Sequence, residues 1–269
     1  MFLRQKIGLI GCGNMGSAIL SGLFRKRLAQ PNQVYVYDRD RAKTISARQR
    51  FRVTAAGSNS DLIRHGEIIL LAVKPQDLSM VAGQIRTSLT EETLTIISIL
   101  AGTPVRKLRR FLGTRPQIVR AMPNLGAQVS EAVTAITGSN GTALAIAEKI
   151  FSGCGKVIRL PEKYFDLVTA VSGSGPAYFF YLMELLVRVA RSKGISEKAA
   201  QLLAVQTALG AGKLAEASPS SPAKLREMVT SKKGTTEAAI QFLKKNGFAE
   251  IFSGAVERAI VRSRQLSSS

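Results

Sequence analysis

The sequence predicts an α/β protein, with a doubly wound parallel sheet in its N-terminal domain and an all-helical C-terminal domain. Three observations lead to this prediction. Short runs rich in Val, Ile and Leu alternate with helical patterns as far as residue 160, which is typical of a parallel sheet covered on both faces. Three closely spaced glycines follow the first run. Strand patterns stop after Pro161, so we place a domain boundary there, between residues 1–161 and residues 162–269.

The strands of the first domain are predicted from apolar, β-branched runs, and the helices from periodic apolar positions between them. Strands are predicted at residues 6–10, 34–38, 67–73, 93–99, 117–122, 132–136 and 156–160. Helices are predicted at residues 14–27, 41–50, 76–88, 104–111 and 141–151. In the second domain, helices are predicted at residues 163–171, 176–193, 196–216, 222–229, 235–245 and 248–265.

The charge of the chain is strongly basic, with 38 Lys and Arg against 18 Asp and Glu, a net charge of +20. Such a balance fits anionic partners in general. The basic residues are nevertheless scattered along the chain, and no aromatic residues alternate with them as they would on a surface that stacks nucleic-acid bases. We therefore expect a basic solvated surface and a small-molecule substrate, with no nucleic acid as partner.

Several other functional classes are disfavoured by the sequence. The two cysteines, Cys12 and Cys154, do not form a disulfide framework in a chain of this length. Residues 1–6 lead into a strand without the pattern of an export signal, and no apolar run reaches membrane-spanning length. The single histidine, His65, has no Cys or His close to it in the sequence. We expect a cytoplasmic protein that binds neither a membrane nor a metal ion.

The glycine-rich segment GLIGCGNMG occupies residues 8–16, between the first strand and the first helix. At this spacing Gly11 permits a tight turn, Gly13 lets a pyrophosphate approach the backbone, and Gly16 allows close packing of helix and strand. The N-terminus of the helix offers free N–H groups to the phosphates. These features predict a Rossmann-like domain that binds a dinucleotide.

The end of the second strand bears on which dinucleotide is bound. Asp38 is placed to accept hydrogen bonds from the adenine ribose, which favours NADH. Arg39 and Arg41 follow in the sequence, and arginines there can hold the 2′-phosphate of NADPH or begin a solvated helix. The sequence predicts NADPH or NADH as the cofactor and leaves the choice open.

Later segments identify a family. The segments AVKP (72–75), RAMPN (120–124), VSGSGPAYFF (171–180), VTSKKGTTEAA (229–239) and AVERAIVRSRQL (255–266) occur in this order. Together with the glycine loop, this set resembles pyrroline-5-carboxylate reductase over essentially the whole chain. The resemblance implies reduction of the cyclic imine 1-pyrroline-5-carboxylate to L-proline, the last step of proline biosynthesis. The hydride comes from NAD(P)H, whose nicotinamide supplies the difficult chemistry.

The resemblance also implies roles for individual residues. On the cofactor side, Asn59 lines the adenosine end, the segment 72–75 lies beside the ribose and nicotinamide, and Ala101 makes a contact after the next strand. Cofactor contacts are also implied for Gly11, Cys12, Gly13, Asn14, Met15, Gly16, Ala72, Val73, Lys74 and Pro75. Substrate contacts are implied for Ser231, Gly234, Thr235 and Thr236. Backbone N–H groups of this loop hold the substrate carboxylate, and the hydroxyl at Thr236, the implied catalytic residue, faces the ring nitrogen.

Two segments depart from the family pattern. The family usually has MPNTP where this chain has Leu125-Gly126 after Asn124, and SPGGTT where this chain has Lys232-Lys233 before Gly234. A divergent non-catalytic or regulatory paralogue therefore stays open as an alternative. A β-hydroxyacid dehydrogenase-like reductase is a second alternative, although those enzymes need a lysine soon after the glycine-rich turn, and none occurs here between Gly175 and Lys193.

The helix predicted at residues 176–193 is apolar on nearly all sides. A helix of this kind has to be buried all round, and a short helical domain has too small a core to surround it. The sequence therefore predicts a homodimer, or a higher oligomer of dimers, that assembles through the helical domain. The family resemblance implies the same mode of assembly.

Overall fold

The computed structural model describes residues 3–88 and 94–268. They include an eight-stranded sheet whose first six strands follow the order β3-β2-β1-β4-β5-β6, all parallel. The last two extend the sheet, with β7 antiparallel to β6 and parallel to β8. The strands are β1 Ile7–Ile10, β2 Val34–Tyr37, β3 Thr54–Ala55, β4 Ile68–Leu71, β5 Thr95–Ser98, β6 Gln117–Met122, β7 Ala132–Gly138 and β8 Gly155–Arg159. The start of the strand predicted at residues 93–99 lies outside the described residues.

Six helices accompany these strands. They are α1 Asn14–Arg25, α2 Arg41–Phe51, α3 Asn59–His65, α4 Leu78–Ser88, α5 Val105–Leu112 and α6 Gly141–Ser152. The prediction of a strand–helix alternation is confirmed, but it missed β3 and α3. Both are short, and α3 begins at a polar cap, where the Ser58 hydroxyl accepts a hydrogen bond from the Asp61 N–H rather than at an apolar periodic run.

The core of the sheet lies in two layers because the strands are buried on both faces. Strands β1, β4 and β5 are buried along their whole length. One layer joins α1 and α6 to the sheet, with Leu20 and Phe151 fully buried in it. The other joins α3, α4 and α5 to the opposite face, around Leu62 and Ile85. The predicted doubly wound architecture is therefore present.

The chain divides into two compact units, which we call the sheet unit, Met1–Gly173 with Ala259–Ser269, and the helical unit, Ser174–Arg258. Within the sheet unit, α7 (Phe165–Val168) and a π-helical turn at Thr169–Gly173 follow β8. The end of α12 (Phe248–Ser268) is held there by Ser263, whose hydroxyl donates to Asp166 Oδ1 at 2.7 Å. These units divide after Gly173, whereas the boundary predicted from the sequence at residue 161 follows the end of β8 at Arg159.

The helical unit consists of α8 Gly175–Ser192, α9 Glu197–Ala217, α10 Pro222–Met228, α11 Thr235–Lys245 and the first part of α12. On α8, Tyr178 is half-buried, and its ring meets that of Phe252 edge-on at 5.6 Å. Many large apolar side chains on α8 and α9 are exposed. No helix in the described parts of the chain is long and apolar enough to cross a membrane.

Candidate active site

A cleft in the sheet unit opens at the carboxyl ends of β1, β2 and β4, where the strand order reverses. Open α/β sheets bind ligands at such a point because the helices that follow neighbouring strands diverge there. The residues that line the cleft are Ile10, Gly11, Gly13, Tyr37, Asp38, Arg39, Lys43, Asn59, Ala72, Val73, Lys74, Asp77, Met80 and Val81. Eight of them were predicted as cofactor contacts from the sequence, which are Gly11, Gly13, Asp38, Arg39, Asn59, Ala72, Val73 and Lys74.

The three glycines of the first loop occupy different surroundings. Gly11 has a φ of 103°, and a Cβ there would lie 2.5 Å from the carbonyl oxygen of Ala72, so only glycine fits this turn. A Cβ at Gly16 would collide with the carbonyl oxygen of Gly11. A Cβ at Gly13 would meet no atom within 4 Å. The loop therefore packs tightly at both ends and leaves open space in front of Gly13, which is the space that a pyrophosphate requires.

Asp38 connects the glycine loop to the end of β2. Its Oδ2 accepts a hydrogen bond from the Cys12 N–H at 2.8 Å, and its Oδ1 accepts one from the Asp40 N–H at 2.9 Å. The backbone N–H of Asp38 donates to the hydroxyl of Thr44 at 2.9 Å. These bonds fix the carboxylate at the wall of the cleft, and each oxygen keeps a lone pair for a further donor.

Two of the three cations that line the cleft are paired with carboxylates. Arg39 Nη1 lies 2.8 Å from Asp77 Oδ1, with the arginine side chain 66% and the aspartate side chain 16% exposed. Lys43 Nζ lies 3.5 Å from Asp40 Oδ2. Asp77 and Lys43 were absent from the sequence prediction. Asp77 lies in the helical turn that follows β4, and Lys43 lies in the first turn of α2, which follows β2. This position near a strand end is the sequence signal that could have identified them as cleft residues.

Asn59 begins α3 and is buried in the wall of the cleft. Its side-chain nitrogen donates to Gln84 Oε1 at 2.6 Å. Its Oδ1 is buried and has no hydrogen-bond partner among the described residues. A buried acceptor without a donor is costly, so this oxygen is suited to receive a hydrogen bond from a bound molecule.

The remaining predicted cofactor residues do not line the cleft. Pro75 begins the single 3-10 turn Pro75–Asp77 after β4. Ala101 is exposed in the turn after β5, where its carbonyl oxygen accepts a hydrogen bond from the Thr103 hydroxyl. Asn14 and Met15 form the first turn of α1. Cys12 is buried beneath the loop, and burial together with the nearby Asp38 carboxylate raises the pKa of its thiol to about 12. This thiol is therefore neutral at physiological pH.

The predicted substrate loop belongs to the helical unit. The N–H of Gly234 donates to the carbonyl oxygen of Ser231 at 2.9 Å, which closes a turn over the two lysines. Lys233 has a φ of 60°, and its N–H donates to Glu237 Oε2 at 2.6 Å. Helix α11 begins at Thr235 after the cap residue Gly234. Its first turn leaves the N–H groups of Thr235 and Thr236 without intrahelical acceptors, which suits them to an anion.

Within residues 3–88 and 94–268, no group of three or more His, Cys, Asp or Glu side chains is arranged to hold a metal ion. His65 stacks on the ring of Tyr35 at 4.9 Å and lies 3.6 Å from Asp61. His65 is therefore an exposed side chain at the end of α3 that contacts Tyr35 and Asp61.

Both parts of the chain match known protein families. The model of NADP oxidoreductase, coenzyme F420-dependent, matches residues 6–102, and the model of pyrroline-5-carboxylate reductase dimerisation matches residues 162–266. The pyrroline-5-carboxylate reductase of Methanosarcina acetivorans is 40% identical over 268 residues, which cover 98% of each protein. The chain belongs to the pyrroline-5-carboxylate reductase family. The resemblance predicted from the sequence is thereby confirmed.

Solved structures of pyrroline-5-carboxylate reductases agree with this family assignment. The reductase of Coxiella burnetii superposes with a TM-score of 0.92 at 33% identity and covers 98% of this chain and 99% of its own. The Plasmodium falciparum pyrroline carboxylate reductase, solved with NADP bound, gives a TM-score of 0.87 at 28% identity, over 99% of this chain and 100% of its own. The predicted fold class, a Rossmann-like sheet domain with a helical dimerisation domain, is confirmed.

Proposed function

We propose that this chain reduces 1-pyrroline-5-carboxylate to L-proline with NAD(P)H. The observation that carries this proposal is the 40% identity to a pyrroline-5-carboxylate reductase along 98% of the chain. Full-length similarity of this kind includes both the cleft and the substrate loop. It favours the reductase over a β-hydroxyacid dehydrogenase-like enzyme or a paralogue without activity.

The described cleft fits a dinucleotide. Open space in front of Gly13, the Asp38 carboxylate and the unpartnered Asn59 oxygen are the features that would receive its pyrophosphate and adenosine parts. When bound, NAD(P)H supplies a hydride to the imine carbon of the substrate, and the ring nitrogen bears a proton in the product. Because a protonated imine is already electrophilic, the protein has chiefly to orient the reactants, which can lower a barrier by roughly 7–11 kcal/mol in favourable cases.

The substrate loop supplies groups for this orientation. We assign the free N–H groups of Thr235 and Thr236 to the substrate carboxylate, and the Thr236 hydroxyl to the ring nitrogen. Gly234, whose own N–H is held by Ser231, contacts the substrate through close approach of its backbone. Ser231 supports the loop by accepting the Gly234 N–H bond on its carbonyl oxygen. Lys232 and Lys233 are exposed, so they attract the substrate anion through water and their effect weakens with salt.

The test is steady-state oxidation of NADH and NADPH with 1-pyrroline-5-carboxylate. We expect turnover in the unmodified protein, a lower kcat in Thr236→Ala because the ring nitrogen loses its contact, and a salt-dependent increase in KM with nearly intact kcat in Lys232→Ala/Lys233→Ala. Absence of turnover with both cofactors would refute the proposed reaction. Loss of kcat in the lysine variant, with Thr236→Ala silent, would refute the roles within the loop.

The organisation of the protein follows from the same family. We propose a dinucleotide-binding domain of residues 1–161 and a helical substrate and dimerisation domain of residues 162–269. The match of the dimerisation model to residues 162–266 supports this division and indicates a homo-oligomer, for which we propose a dimer or an oligomer of dimers. We further propose a cytoplasmic location, because Cys12 and Cys154 are both free thiols, as reducing compartments maintain them.

A further inference from the structure

We propose that this chain prefers NADH to NADPH, and that Asp38 and Asp77 set this preference. Asp38 acts directly, as the carboxylate at the position of the adenine ribose. Asp77 acts through Arg39, because it holds the guanidinium that would otherwise be free for a 2′-phosphate. This inference rests on the proposed function for the identity of the cofactor and goes beyond it by choosing between its two forms.

Asp38 is held at the wall of the cleft. Its two oxygens already accept the N–H groups of Cys12 and Asp40, so the carboxylate cannot rotate away from the cleft without breaking both bonds. Ribose hydroxyls are donors and can use its remaining lone pairs. A 2′-phosphate has no donor when fully ionised and brings two negative charges beside the carboxylate, so it is repelled.

Arg39 is the cation next in the sequence. A planar guanidinium is the best partner for a phosphate because it binds two oxygens at once. Here Arg39 Nη1 is 2.8 Å from Asp77 Oδ1, and Asp77 is much the less exposed of the two. A 2′-phosphate that bound the guanidinium through both of its Nη atoms would take Nη1 away from this partly buried carboxylate, which offsets much of the attraction.

The other cations of the cleft do not replace Arg39. Lys43 lies 3.5 Å from Asp40, and Asp40 is also tied to α2, where its side chain accepts the Ala42 N–H. Lys74 follows β4 rather than β2, so it belongs to a different strand end from Asp38. Arg41 begins α2 and does not line the cleft. The sequence Asp38-Arg39-Asp40 therefore places carboxylates on both sides of the arginine that lines the cleft, and Asp77 adds a third.

The test measures binding separately from turnover. Isothermal titration of the full chain with NAD+ and NADP+ gives the ratio of the two dissociation constants, and kcat/KM with NADH and NADPH gives the kinetic ratio. We expect the unmodified protein to bind NAD+ about tenfold or more tightly than NADP+, since the discriminating charges lie at a partly exposed site. Equal or tighter binding of NADP+ would overturn the proposal, whether or not the protein turns over 1-pyrroline-5-carboxylate.

Two variants separate the direct and indirect roles. Asp77→Asn should shift the binding ratio toward NADP+ by about tenfold, because Arg39 is released. Asp38→Asn should shift it further, because the repelling charge itself is removed. Glu148→Gln is the matched control, since it removes an exposed carboxylate that is paired with Arg159 outside the cleft, and it should leave the ratio unchanged. A ratio that shifts equally in Glu148→Gln, or not at all in Asp77→Asn, would refute the role of Asp77.

Discussion

The sheet unit and the helical unit differ in where their apolar side chains lie. In the sheet unit, the strands and the helices that cover them enclose two continuous apolar layers, and Leu9, Leu20 and Ile97 are fully buried. In the helical unit, many large apolar side chains are exposed, more than is usual on a surface that faces only solvent. Those on α8 and α9 include Phe179, Phe180, Tyr181, Leu182, Leu186, Val189, Leu202, Leu203, Val205, Leu209 and Leu214.

The difference shows how each unit is stabilised. A doubly wound sheet buries its own apolar residues because helices lie on both of its faces. A few helices cannot bury all of one another's apolar side chains. The large exposed apolar patches that remain are typical of protein–protein interfaces. Since this family contains a dimerisation domain in the same part of the chain, a second copy is the natural cover for these faces. The sheet unit is thus complete within one chain, and the helical unit is completed by assembly.

The largest effect should come from placing charge on the exposed apolar stripe of α9. Leu202 and Leu209 are 66% and 52% exposed and are separated by two helical turns. Leu202→Glu/Leu209→Glu should abolish assembly and lower the apparent free energy of unfolding by more than about 4 kcal/mol, because two carboxylates would be buried without partners. Light scattering and chemical denaturation at several protein concentrations measure both quantities.

The matched control for this variant lies in the sheet unit. Ile45 on α2 is 44% exposed, which is similar to the residues of the stripe. Because we assign no interface to this helix, Ile45→Glu should leave the assembly intact and change stability by less than about 0.5 kcal/mol. A folded monomer of the unmodified protein at micromolar concentration, or equal effects of the two substitutions, would contradict the distinction between the units.

An intermediate effect is expected within the sheet unit, where tight packing extends into the cofactor loop. Gly11→Ala should destabilise the protein by about 2–3 kcal/mol, because its φ of 103° and its contact with Ala72 leave no room for a methyl group. Gly13→Ala should leave stability nearly unchanged, because its methyl group enters open space. It should weaken cofactor binding by about tenfold or more, because that space is the proposed approach of the pyrophosphate. Thermal unfolding and cofactor titration of both variants measure this contrast, which fails if Gly13→Ala binds cofactor normally.

The sequence predicted the fold and much of the cleft because their signals are local. The apolar runs that become β1 and β4 and the spacing from Gly11 to Gly16 are readable from the chain alone. The ion pair between Arg39 and Asp77 was not predictable, because it joins side chains 38 positions apart in the sequence. They follow β2 and β4, and the strand order that brings these two strand ends near each other, with β1 between them, is known only from the structure. The short β3 and α3 were missed because they lack a periodic pattern long enough to be recognised. Sequence patterns record burial and turns, whereas cross-strand charge pairing requires the topology.

The smallest effect concerns strain in the substrate loop of the helical unit. Lys233 adopts a φ of 60°, where a side chain costs roughly 1–2 kcal/mol because Cβ crowds the backbone. The family pattern usually has glycine at this position, so the loop has the left-handed backbone that glycine favours, although a lysine occupies it. Lys233→Gly removes the crowding but gives the unfolded chain more freedom, which costs about 0.5–1 kcal/mol. The balance should be a gain of about 0.5 kcal/mol in the free energy of unfolding, measured by chemical denaturation. Lys233→Ala removes the same charge and keeps Cβ, so it should give no gain. An equal gain in both variants would show that charge repulsion, and not backbone strain, is relieved at this position.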